Sequence, residues 1–148
     1  MVYLSRGLSK NATLERLNLA ENIFNDRESI QNLVRNLLEN LEASKLIDID
    51  LQKNQMTSET IGPFAELFEQ NFKIRTLNLR HNVISDEGGL LLSQALVNNE
   101  FITRILIDMN PMRHSMIADM EQHSAQNQLK VNEQEVPSMI EEIIEVKK

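Results

Sequence analysis

An asparagine recurs in one apolar frame along this chain: Asn22, Asn54, Asn82 and Asn110 each close a stretch of the form L-x-x-L-x-L-x-x-N. The frames are Leu14-x-x-Leu17-x-Leu19-x-x-Asn22-x-Phe24, Leu46-x-x-Ile49-x-Leu51-x-x-Asn54-x-Met56, Ile74-x-x-Leu77-x-Leu79-x-x-Asn82-x-Ile84 and Ile102-x-x-Ile105-x-Ile107-x-x-Asn110-x-Met112. Successive asparagines are 32, 28 and 28 residues apart, so one unit is stacked about four times. A unit of this size buries its apolar face only against its neighbours, which restricts the chain to a stacked architecture.

Inside each frame the second and third anchors alternate with polar residues, the period of a half-buried strand. After each Asn the spacing changes to three and four. Ile30, Leu33, Val34, Leu37, Leu38 and Leu41 form one helix face, and Ile61, Phe64, Ala65, Leu67 and Phe68 a second. Leu91, Leu92, Ala95 and Leu96 make a third, and Met116, Ile117 and Met120 a fourth. Asn25 with Glu28 has the pairing of a helix cap, and Ser85-Asp86 precedes the third helix. Pro63 would cost about 3 kcal/mol inside a helix, so the second helix is expected to begin near Thr60, with Pro63 in its first turn.

A strand, a turn closed by Asn, a helix and a return loop every 28 residues, with Gly88 where a small residue is common, resemble the ribonuclease-inhibitor-like subclass of leucine-rich repeats. The resemblance covers about residues 4–126. It implies an α/β fold, a short right-handed solenoid with parallel strands on the concave side and helices on the convex side. The domain reading is a repeat domain over 1–126 with a partial N-terminal helix, a linker over 127–136 and a C-terminal amphipathic helix over 137–148. Stacked Asn22, Asn54, Asn82 and Asn110 are expected to form a structural ladder, because an amide side chain offers two donors and an acceptor to a buried turn.

Three departures from the period carry information. The first interval holds four additional residues, expected as a further helical turn between Asp26 and Ala43 that protrudes on the convex side. Leu4 and Leu8 read as the last turn of a helix whose strand is missing, so the open N-terminal edge suggests an assembly, a truncated chain or a minimal helical cap. After Asn110 no fifth frame follows. Polar residues 123–135 read as a linker, and Ser138 with Glu141 as a capping box. The stripe Met139, Ile140, Ile143 and Ile144 either covers the last repeat or docks in a partner's groove.

Residues between the anchors point to the concave surface in rows. One row is Arg16, Asp48, Thr76 and Arg104; the next are Asn18, Asp50, Asn78 and Leu106, then Ala20, Gln52, Arg80 and Asp108. Strands about 4.8 Å apart let Arg16 meet Asp48 and Arg80 meet Asp108, so no single-signed field arises. The candidate protein interface is the fourth strand's corner, Arg104, Leu106, Asp108 and Met109, which is either a contact surface or covered by the C-terminal tail.

Chemistry is poorly represented. A net charge of −7 speaks against a nucleic-acid footprint, and zero cysteines exclude thiolate zinc sites and cysteine nucleophiles. No phosphate-binding or nucleophile-elbow motif occurs, and His81, His114 and His123 lack metal-ligand spacing. Asn11-Ala12-Thr13 reads as a loop ahead of a strand rather than a glycosylation site. The expectation is a soluble intracellular, cytoplasmic protein with no catalytic, cofactor or metal site, no membrane contact and one or more protein partners. The resemblance adds two alternatives: a regulator of an enzyme, small GTPase or actin filament, and a structural part of a cytoskeletal or ciliary assembly.

Overall fold

The structure, a computed structural model, describes the backbone of residues 2–70 and 73–146; the side chains of 2, 3, 5 and 134–146 lie outside the description. Helix α1 (Val2–Leu8) is followed by β1 (Arg16–Asn18), α2 (Arg27–Glu39), β2 (Asp48–Asp50), α3 (Ser58–Gln70), β3 (Thr76–Asn78), α4 (Asp86–Val97), β4 (Arg104–Leu106) and α5 (His114–Val146). The strands form a parallel sheet in chain order, and each helix packs on the next. Arg16 lies beside Asp48, Asp48 beside Thr76 and Thr76 beside Arg104, the register expected from the repeat frame.

The core lies between sheet and helix layer. Ile49, Leu77 and Ile105 point into it from the strands, and Leu51, Leu79 and Ile107 from just beyond them. Ile30, Leu33, Phe64, Phe68, Leu92 and Leu96 meet them from the helices. Each large side chain hidden here adds about 1.5–3 kcal/mol of hydrophobic stabilisation, and the layer is continuous because every unit lends a face to the next.

Several details depart from the sequence expectations. Helix α3 begins at Ser58, so Pro63 lies in its second turn. The start is set by Thr57, whose carbonyl accepts from Ile61 N–H while its own N–H donates to Thr60 Oγ1 at 2.8 Å. Helix α2 has 13 residues, as many as α3, so the additional residues of the first repeat do not lengthen a helix. They lie in the turn before α2, where Asn25 is inserted ahead of the cap, and in the return loop after Asn40. The cap itself is Asp26, not Asn25, with Ser29 N–H donating to its carboxylate at 2.8 Å.

Helix α4 turns Gly88 and Gly89 inward with Leu92, Ala95 and Leu96, while Leu91 is exposed. The glycines let neighbouring helices close in. A Cβ on Gly88 would stand 2.7 Å from Ile84 Cγ2 and 2.9 Å from Ser58 Oγ, and one on Gly89 would collide with Met116 Sδ.

The backbone of α5 is helical straight through 127–136, the segment expected as a linker. Ile117, Met120, Ser124 and Asn127 form its inward face, a sparse stripe with polar members. Asn127 Nδ2–H donates to the carbonyls of Asn99 (2.8 Å) and Ile102 (3.0 Å). It belongs to a second asparagine ladder, at the return loops. Asn40 donates to Leu8 O and Asn11 O, Asn99 donates to Phe68 O, and the Oδ1 atoms of Asn11 and Asn99 accept from the two strand-leading N–H groups that follow each.

Candidate protein interface

The ladder expected from Asn54, Asn82 and Asn110 closes every strand turn in the interior of the stack. Asn82 Nδ2 donates to Leu51 O, Leu79 O and, at longer range, Arg80 O, while its Oδ1 accepts from Asn54 N–H (2.9 Å) and Met56 N–H (3.0 Å). Asn110 repeats the donor pattern and accepts from Ile84 N–H at 3.1 Å. These side chains are consumed by the scaffold. Asn22 differs: it is exposed and donates only to Leu19 O and Ala20 O, within its own turn.

The residue before each ladder Asn is left-handed, a feature no sequence rule had flagged. Glu21 (φ 58°), Lys53 (55°), His81 (54°) and Met109 (60°) form this row. Short polar residues or Gly normally occupy that region, and other side chains cost about 1–2 kcal/mol there. The turn throws these side chains outward. Glu21 and Lys53 form an ion pair at 2.7 Å, and that hydrogen bond, with the ammonium charge, holds the Glu21 carboxyl below its ordinary range. Met109 stays 66% exposed, and no described residue covers it.

On the sheet face turned away from the helices, the charge pairs are those the rows predict. Arg16 Nε lies 3.2 Å from Asp48, and Arg80 bonds Asp108. The middle row has a local duty: Asn18, Asp50 and Asn78 each accept, through Oδ1, the N–H two residues ahead, at Ala20, Gln52 and Arg80. Such Asx turns steer the chain from strand to turn. Leu106, at the same place in the fourth repeat, cannot make one.

Leu106 instead closes a groove of about 250 Å3 whose walls include Arg16, Asp48, Asp50, Thr76 and Asn78. A larger hollow of about 390 Å3 lies between α2 and α3, lined by Arg27, Arg35, Pro63 and Glu66; its charges are mixed and its walls include no residue expected at an interface. Of the candidate interface residues, Arg104, Leu106, Asp108 and Met109 share one corner, with Arg104 and Met109 exposed and Asp108 tied to Arg80. Met139, Ile140, Ile143 and Ile144 lie on the helical backbone of α5, their side chains outside the described residues. Among the described residues no three His, Asp or Glu side chains converge as metal ligands, and no helix is long and apolar enough to cross a membrane.

Residues 70–93 match the family described as Leucine Rich repeat. Leucine-rich repeat-containing protein AAC1 of Dictyostelium discoideum is 25% identical over 120 residues, 79% of this chain. The chain spans 14% of that relative's length. Among solved structures, leiomodin-1 actin-binding site 2 superimposes with a TM-score of 0.68 at 13% identity, covering 93% of this chain and 95% of the other. The tropomodulin C-terminal domain of Caenorhabditis elegans gives 0.61 at 14% identity, covering 92% and 98%. At such identities the likeness is one of fold.

Proposed function

We propose, from the premise that this chain is an αβ solenoid of leucine-rich repeats, that it is a non-catalytic protein-interaction module, and that actin is the first partner to test. The observation that carries the actin reading is the near end-to-end superposition on a domain whose own description is an actin-binding site. Two further features support a docking role. The strand-side corner offers Leu106 and the exposed Met109 beside Arg104, an apolar centre with a charged rim of the kind interfaces use. Helix α5 also continues beyond Asn127, which is bonded level with the end of α4, by about 28 Å of backbone. Its stripe Met139, Ile140, Ile143 and Ile144 is the second contact in this reading, and residence with the cytoskeleton follows from the partner.

Co-sedimentation with filamentous actin, together with an elongation assay, tests the proposal. Binding should weaken at least tenfold in Leu106→Asn combined with Arg104→Glu. Asn at 106 suits the Asx row, so that variant should remain folded. Removal of residues 137–148 should weaken binding independently. No association at saturating protein rejects actin, and retained binding by both variants rejects the surfaces.

A further inference from the structure

The middle row of the sheet face separates structural need from available charge. Asn18, Asp50 and Asn78 do the same backbone work, accepting the N–H of Ala20, Gln52 and Arg80 at 2.9, 3.0 and 3.2 Å. An amide oxygen suffices in two of the three repeats. The negative charge at Asp50 is therefore surplus to the turn. Only its Oδ1 is engaged, and among the described residues it has no ion pair, whereas its neighbour Asp48 is matched by Arg16. It is half-buried in the wall of the groove of about 250 Å3 that Thr76, Asn78 and Leu106 continue. Of the charges lining that groove, Arg16 and Asp48 offset each other, which leaves Asp50. Arg104, Arg80 and Asp108 share the same face, but none of them lines the groove, and the last two are paired.

We propose that this groove binds an extended segment of a partner protein that places a lysine or arginine on Asp50 and an apolar side chain on Leu106. The inference rests on the reading of the chain as an interaction module and names the chemistry that one of its surfaces selects. The spacing follows from the sheet. Two strand intervals separate Asp50 from Leu106, roughly 10 Å. An extended chain crossing the strands covers about 7 Å between residues two apart, and a lysine side chain reaches the remainder. The recognised pattern is apolar-x-basic. An acidic segment is repelled by Asp50, and a neutral one leaves its carboxylate desolvated without compensation.

The probe is acetyl-Ala-Leu-Ala-Lys-Ala-amide, titrated into the 15N-labelled chain at low salt and followed by amide shifts. Binding in the millimolar range should move Asp50, Asn78 and Leu106 together, and replacing Lys by acetyl-lysine should weaken it at least threefold. Asp50→Asn should weaken the lysine peptide as much, while leaving the urea midpoint unchanged, because Asn holds the same turn at 18 and 78. Equal binding of the lysine and acetyl-lysine peptides overturns the proposal, as does undiminished binding by Asp50→Asn. Shifts confined to residues off this face overturn it as well. The result is independent of actin co-sedimentation: a chain that binds actin but not the peptide keeps its role as a module and loses this groove.

Discussion

The first strand turn and the two that follow it share a sequence frame and part company at one residue. Up to Glu21 the first repeat matches the interior: Leu19 N–H reaches Asp50 O and Glu21 N–H reaches Gln52 O, as Leu51 and Lys53 do to Asn78 and Arg80. Asn22 Nδ2 still makes the two bonds within its own turn that Asn54 and Asn82 make, and the correspondence ends at the N–H groups of Asn22 and Phe24. Asn82 Oδ1 accepts two N–H groups of the preceding turn, whereas Asn54 Oδ1 is buried without a partner, although the N–H groups of Asn22 and Phe24 stand in the equivalent sequence positions. The nearest sequence difference is Asn25. It is the residue inserted before the Asp26 cap, where Met56 and Ile84 lead directly into theirs. The same motif thus makes a closed turn where the cap follows directly and an open one where Asn25 intervenes.

The largest expected effect follows from that contrast. Asn82→Ala strands the N–H groups of Asn54 and Met56 in a buried turn and leaves the carbonyls of Leu51 and Leu79 with one amide donor each, from Asn54 and Asn110, and should cost about 3–5 kcal/mol in urea unfolding. Asn22→Ala should cost about 1 kcal/mol or less, since its bonds are local and exposed. Amide exchange sharpens the point. Met56 and Ile84 should be protected well beyond Phe24. A ladder equally strong in all turns would give equal losses and equal protection.

Glycines extend the comparison to the helices. Gly88→Ala should destabilise by about 1–3 kcal/mol, because the new methyl meets Ile84 and Ser58 in the packed interior. Gly7→Ala, in the terminal helix with nothing within 4 Å of the added carbon, should stabilise by about 0.5–1 kcal/mol. Thermal unfolding of both variants checks the sign. Similar losses at both sites would mean that α1 packs as tightly as α4.

The left-handed row tests where the first repeat stops matching. His81→Val places a β-branched residue at φ 54° and should cost about 1–2 kcal/mol, while His81→Gly should be close to neutral. Glu21→Val should show a loss of the same size if register holds through that residue. A much smaller loss would move the divergence upstream of Glu21.

The strand rows were legible in the sequence because a period of two dictates which side chains share a face, and Arg16 with Asp48 and Arg80 with Asp108 met as the rows required. The return-loop ladder was not. Asn71, Asn99 and Asn127 do recur at 28-residue intervals, but Asn40 lies six residues before Leu46 whereas Asn99 lies three before Ile102, so the offset breaks where the first interval is longer. Helix α5 was hidden for a different reason. Its inward positions 124 and 127 are Ser and Asn, which a search for apolar periodicity passes over, and the polar stretch around them reads as a linker. At the interface, Leu106 and Met109 were visible as apolar residues in polar rows. The left-handed geometry that exposes Met109 leaves no compositional mark, since Glu, Lys, His and Met occupy it in turn.

Acid should separate the two regions by the smallest but most selective effect. Among the described residues two carboxyl groups are held below their ordinary values, 4.5 for Glu and 3.8 for Asp: Glu21 by the hydrogen bond and charge of Lys53, and Asp26 by its hydrogen bonds from Ser29. Both lie in the first repeat. The interior caps Thr57 and Ser85 carry hydroxyls in place of a carboxyl group. A carboxyl group with a lowered folded-state pKa stabilises above its unfolded value and loses that contribution as pH falls through the folded one. Exchange at pH 3 should therefore loosen the start of α2 and the Glu21 turn before the turns at Asn82 and Asn110. Asp26→Asn, which keeps a capping oxygen without a titrating proton, should remove the part of this acid response that belongs to α2. If the interior turns open first, the weak point of the stack lies elsewhere than at the inserted Asn25.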